Sequence, residues 1–189
     1  DDQIAKIQKA VKASGKADNT IIVFFSDHGI LVGEHGLHHK STLYKEVLNP
    51  TLVIYDPRGI KPHKVTRPVQ LLDIVKTALD WGGADEKEKQ IPYGDSLIPL
   101  LTGKGEFPRD FAVGESPGYY AIVTDRYKFI APFDYQKDGK IVLFDMKENP
   151  EETVNIADQK PEVVKMFKEK AAKWLAESGE VKIQAPGAY

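Results

Sequence analysis

The sequence predicts an α/β architecture: the C-terminal part of a large, mostly parallel sheet domain over residues 1–104, followed by a small α+β subdomain over 105–189, a four-stranded antiparallel sheet with a C-terminal helix. Three observations carry that reading. Ile21–Phe25 and Thr51–Tyr55 are short, apolar and β-branched without alternation, as strands covered on both faces are. Helical patterns flank these runs, the arrangement of a parallel sheet with helices on it. Beyond Thr102-Gly103-Lys104-Gly105 the spacing changes to that of an antiparallel meander.

The elements follow in order. Asp1 to Val11 places Ile4, Ile7 and Val11 on one helical face, and because the chain opens inside a helix Asp1 is expected to be a cut rather than a biological start. This helix is expected to end near Ser14 with Gly15 as its left-handed cap, and Asp18-Asn19 then turn the chain into the first strand. Thr51–Tyr55 stops at the turn Asp56-Pro57-Arg58-Gly59. Pro68 to Trp81 reads as a mostly buried helix, because its apolar residues lie on more than one side, and Gly82-Gly83 end it. A Lys/Glu-rich loop follows at 85–90. Strands are then expected at Phe111–Glu115, Tyr119–Thr124, Tyr127–Phe133 and Ile141–Asp145, the last two joined by the hairpin signal Lys137-Asp-Gly-Lys140. Pro161 opens a terminal helix with Val163, Val164, Phe167, Ala171, Trp174 and Leu175 at helical spacing, and Gly179 lies just past its end.

Composition excludes several functions. With 26 Lys plus Arg against 28 Asp plus Glu, the net charge of -2 supplies no basic field for nucleic acid. No apolar run approaches the ~18–20 residues of a membrane span. The absence of cysteine removes a disulfide scaffold, a thiolate zinc site and a cysteine nucleophile from these residues.

The chemistry concentrates in one stretch. Ser26 to Lys40 reads S-D-H-G-I-L-V-G-E-H-G-L-H-H-K and holds four of the five histidines. In an open sheet, ligands collect at the carboxyl ends of strands, where Asp27 and His28 fall. A carboxylate beside an imidazole, on a loop with Gly29, Gly33 and Gly36, makes half of a metal site, the rest coming from elsewhere in the fold. Without further context Lys40 is a surface lysine, and His63, in the polar turn Lys61-Pro-His-Lys64, is a turn residue.

These residues carry a resemblance. S-D-H-G-x-x-x-G-E-H-G-L-x-x-K-x-x-L-Y-x-E, from Ser26 to Glu46, resembles the C-terminal signature of the sulfatase family in the alkaline phosphatase superfamily. Three further segments resemble the family in the same order: Asp2 to Ile7 with Ala17 to Phe24, Gly94-Asp-Ser-Leu-Ile-Pro-Leu-Leu101, and Leu143-Phe-Asp-Met-Lys-Glu-Asn-Pro-Glu-Glu-Thr-Val-Asn-Ile-Ala157. The resemblance implies an alkaline-phosphatase-like domain and hydrolysis of a sulfate ester, on a sulfated small molecule or glycan. It gives Asp27 and His28 to a divalent cation, calcium in most such sulfatases, and Lys40 to the sulfate group. His38 and His39, standing where relatives often carry aromatics, are candidates for facing substrate.

Departures matter as well. The family's nucleophile is a formylglycine made from Cys or Ser in Cys/Ser-x-Pro-x-Arg; there is no cysteine here, and no serine has that context. The nucleophile, with the Asp pair that completes the metal site, is therefore expected in a missing N-terminal half of the same protein, the principal partner of this chain. Leu48-Asn49-Pro50 stands where relatives commonly have Arg-Val-Pro. The family implies a periplasmic or secreted location. Two rivals remain: a phosphoesterase or phosphoethanolamine transferase of the same superfamily, in which His35, His38 or His39 would join a zinc site, and a non-catalytic fragment that only binds an anionic glycan.

Overall fold

A computed structural model describes residues 1–85, 94–133 and 139–177, with side chains described to residue 176. All but the first residue of the loop read at 85–90, part of the 137–140 hairpin turn and Gly179 fall outside them. Within 1–104 the elements are α1 (Asp2–Ala13), β1 (Ile22–Phe25), β2 (Leu31–Val32), β3 (His38–His39), α2 (Lys45–Leu48), β4 (Leu52–Tyr55), α3 (Leu71–Trp81) and α4 (Ile98–Thr102). The α1 boundary follows from Gly15, whose φ of 70° a β-carbon would disfavour and whose amide closes onto Lys12.

Two expectations for this region are corrected. The strands β1 and β4 pair antiparallel, Ile22 opposite Tyr55 and Phe25 opposite Leu52, rather than parallel. The reason lies in the connection: residues 26–51 hold a hairpin and the single turn α2, with no crossover helix to carry the chain back to the start of the sheet. In this chain alone the faces patterned for burial stand uncovered, as expected without the missing N-terminal half. Phe24, Val53 and Tyr55 share one face of the ladder at 46%, 55% and 55% exposure, and Phe25 on the other face is half exposed too. Helix α3 is likewise less buried than its pattern suggests. Its fully buried residues are polar, Asp73 and Thr77, whereas Leu72 and Val75 stand exposed.

Asp73 is buried because it is fully employed. Its Oδ2 accepts from the Gln70 amide, capping α3, and from Arg109; its Oδ1 accepts from the Asp95 amide. Thr77 Oγ1 accepts from the Leu97 amide at 2.8 Å. These bonds clamp α3 to the segment that opens α4.

The second region matches the sequence reading closely. Strands β5 (Ala112–Ser116), β6 (Tyr119–Val123), β7 (Tyr127–Pro132) and β8 (Val142–Asp145) form an antiparallel sheet in chain order, each within a residue of its expected bounds. Helix α5 (Pro161–Glu177) covers it. Tyr120, Ile122, Phe129, Ala131 and Leu143 meet Phe167 and Ala171 in one dry core, with Phe129 and Phe167 stacked at 5.4 Å.

Candidate functional site

The site is assembled at the end of β1. Ser26 Oγ donates to the His28 carbonyl at 2.8 Å, turning the chain sharply, and the His28 amide donates to Asp27 Oδ1 at 3.0 Å. Gly29 then passes directly against α2: its amide donates to the Val47 carbonyl at 2.9 Å, and a β-carbon there would lie 1.8 Å from the Glu46 carbonyl oxygen. Only glycine permits that approach.

Residues 31–39 form a hairpin, Leu31 opposite His39 and Val32 opposite His38, around a 3-10 turn at Glu34–Gly36. Glu34 stiffens the turn by accepting from the Val32 amide at 2.7 Å, a bond that holds its carboxyl below the usual range. The hairpin returns Lys40 to His28, and Lys40 Nζ lies 2.7 Å from His28 Nε2. Asp27 Oδ2 lies 3.3 Å from the same Nε2. Asp27, His28 and Lys40, singled out in the sequence, thus converge on one point.

The electrostatics follow from the partners. His28 Nδ1 is 2.8 Å from the Gly29 carbonyl, which can only accept, so Nδ1 carries the hydrogen and Nε2 presents its lone pair. Lys40 donates to that lone pair. The Asp27 carboxyl is held below its ordinary value, first by the His28 amide. The outcome is an exposed carboxylate and a ring lone pair side by side, with an ammonium adjoining them.

This donor set fits half of a divalent-cation site. A ligating histidine ordinarily donates its other ring hydrogen to a carbonyl, as His28 does to Gly29. An anion approaching Lys40 would also meet the Asp27 carboxylate, 78% exposed, and only a cation between them removes that repulsion. Two side chains are nevertheless too few for a hard cation, and among the described residues no group of three or more His, Asp or Glu could hold a metal.

The other histidines separate from this point. His38 and His39 stand exposed on β3, His39 with a φ of 76°. His35 stacks on Tyr44 with ring centroids 3.8 Å apart, and its Nε2 lies 3.4 Å from Glu46 Oε2. His63 remains a loop residue, but both its nitrogens face carbonyls, Lys61 at 2.9 Å and Leu100 at 3.0 Å, so the ring ties its loop to α4. Sequence reasoning missed the contacts of His35 and of Gly29 with Tyr44, Glu46 and Val47; the only signal for them was the glycine following Asp27-His28.

The fold defines the class, an alkaline-phosphatase-like α/β protein followed by a four-stranded antiparallel subdomain. Residues 1–84 match the family model described as Sulfatase, and the chain belongs to the sulfatase family. It is 32% identical over 169 residues to an N-acetylglucosamine-6-O-sulfatase of Bacteroides thetaiotaomicron, an alignment covering 82% of this chain and 30% of that protein. It superimposes with a TM-score of 0.76 on a structure solved in complex with its substrate D-glucosamine-2-N,6-O-disulfate, at 27% identity, covering 96% of this chain and 39% of that one. A phosphonate monoester hydrolase of Agrobacterium radiobacter superimposes with a TM-score of 0.78 at 25% identity, over 93% of this chain and 38% of that one. The chain therefore spans well under half the length of each of these relatives. Among the described residues no helix is long and apolar enough to cross a membrane.

Proposed function

We propose that the full-length protein containing this chain hydrolyses a sulfate ester carried on a sugar, outside the cytoplasm, and that these residues supply the anion-binding side of its active site. The observation that carries the reading is the convergence of Asp27 Oδ2 and Lys40 Nζ on His28 Nε2, at 3.3 and 2.7 Å, at the carboxyl end of β1. The chain's likeness to an N-acetylglucosamine-6-O-sulfatase and to a complex with D-glucosamine-2-N,6-O-disulfate supports a sulfated amino sugar as substrate.

Asp27 and His28 would hold the divalent cation, calcium in this reading, together with ligands from elsewhere in the protein. When bound, that cation supplies Lewis-acid polarisation of the ester oxygens. The contact of His28 Nδ1 with the Gly29 carbonyl turns Nε2 toward that cation. Lys40 places a fixed positive charge beside the same point, and neutralises the charge that grows on the sulfate oxygens as the S–O bond breaks. The nucleophile, a formylglycine in this reading, is not among these 189 residues, which contain no cysteine.

The likeness to a phosphonate monoester hydrolase favours a second reading, a phosphorus ester as substrate. In its zinc form that reading draws on further histidines, and His35 is already engaged by Tyr44 and Glu46. The full-length protein, assayed on p-nitrophenyl sulfate and on p-nitrophenyl phenylphosphonate with its metal content measured, separates the two. Preference for the sulfate with calcium bound supports the proposal; preference for the phosphonate with a transition metal bound establishes the rival.

A further inference from the structure

We infer that Lys128 and Glu152, buried in the C-terminal subdomain, are positioning residues that hold His28 and Lys40 in register; this rests on the sulfate-ester reading above. Both side chains are almost wholly buried and paired with each other, at 2% and 0% exposure. A buried ion pair is seldom there for stability alone, since an apolar pair of similar volume often serves as well. Glu152 is also held at a φ of 54°, strained for a residue with a β-carbon. The arrangement is therefore costly, and its free valences all point one way.

They point to the segment behind the site. Lys128 Nζ donates to the Leu43 carbonyl at 2.8 Å, and the Lys45 amide donates to Glu152 Oε2 at 3.1 Å. Lys45 Nζ reaches the Pro150 carbonyl at 2.7 Å and Glu151 at 2.6 Å. Residues 43–45 are thus fastened to the turn after β8. From this anchored segment two arms reach forward. Glu46 and Val47 press their carbonyls on Gly29, which fixes His28. Tyr44 stacks on His35 and Glu46 lies beside it, which fixes the hairpin whose end carries Lys40. One buried pair, far along the chain, therefore sets both members of the His28–Lys40 contact.

Kinetics of the full-length protein on p-nitrophenyl sulfate test this. Lys128→Met and Glu152→Gln are expected to lower kcat/KM about tenfold, within the range that a misplacement near 1 Å produces, mostly through kcat. Introduced into a Lys40→Ala background, they should cost less than they do alone, because only His28 is then left to be positioned. Phe167→Leu, in the subdomain core, should lower the melting temperature and leave kcat unchanged. Should Lys128→Met fail to fold, Lys128→Met/Glu152→Leu, which leaves no unpaired buried charge, is read by the same criteria, as is Glu152→Gln. Full activity in any folded variant of the pair, or an undiminished loss on the Lys40→Ala background, overturns the inference. If instead Lys40→Ala itself is fully active, the sulfate-ester reading fails first, and the two failures are distinguishable.

Discussion

The two regions of the chain solve the burial problem differently. In 105–177 a sheet and a helix close on each other, and aromatic and aliphatic residues from every strand but β5 are fully buried between them. In 1–104 the sheet has only two described strands, and the apolar face formed by Phe24, Val53 and Tyr55 lies open, as do Ile7, Leu72 and Val75 on the helices. Yet the open region carries Asp27, His28 and Lys40. The closed region contributes support, through Lys128 and Glu152, rather than reacting groups. A rigid, self-contained subdomain can anchor a loop, whereas the surface beside the candidate site keeps apolar area for further contacts.

The largest expected effect lies in the closed region. Phe167→Ala removes the ring stacked on Phe129 and should destabilise the subdomain by about 3–5 kcal/mol, read by urea unfolding. A loss below about 1 kcal/mol would mean that α5 is not the lid of that core. Phe24→Ala sharpens the contrast. In this 189-residue chain it should lie within about 0.5 kcal/mol of neutral and reduce self-association seen by light scattering. In the full-length protein the same substitution should cost several-fold more if that face is covered there. Equal costs in both contexts would show that the open face is a genuine surface.

The smallest effect concerns the loop that His63 ties to α4. The carbonyls of Lys61, first, and Leu100 raise its pKa above the ordinary 6.5. A raised folded-state pKa contributes stability that is fully present below pH 6.5 and lost as pH rises through the folded value. The difference in melting temperature between the protein and His63→Ala should therefore shrink with rising pH, while turnover is unaffected. A difference that grows with pH would contradict the two-carbonyl tie.

How much was legible in the sequence follows the same division. Strands β5 to β8 lay within a residue of their expected bounds because each is set by a local turn, such as Ser116-Pro-Gly118 or Asp125-Arg126. The pairing of β1 with β4 was not legible, since an apolar run records burial but not direction. Asp73 and Thr77 were hidden for another reason: the groups that satisfy them, from Asp95, Leu97 and Arg109, come from 20 to 36 residues away. Of the candidate site, Asp27 and His28 were marked by adjacency at a strand end and Lys40 by the family signature. Their support was not, because Lys128 meets Leu43 across 85 residues.

The central claim is that Lys40, brought to His28, serves the sulfate group. The most direct measurement compares Lys40→Ala with His63→Ala for kcat/KM on p-nitrophenyl sulfate in the full-length protein. Removing an ammonium aimed at developing charge should lower the rate by about 10²–10³ with little change in melting temperature, while His63→Ala keeps full turnover. Equal and undiminished activity in both variants would return Lys40 to the role of a surface lysine and contradict the account.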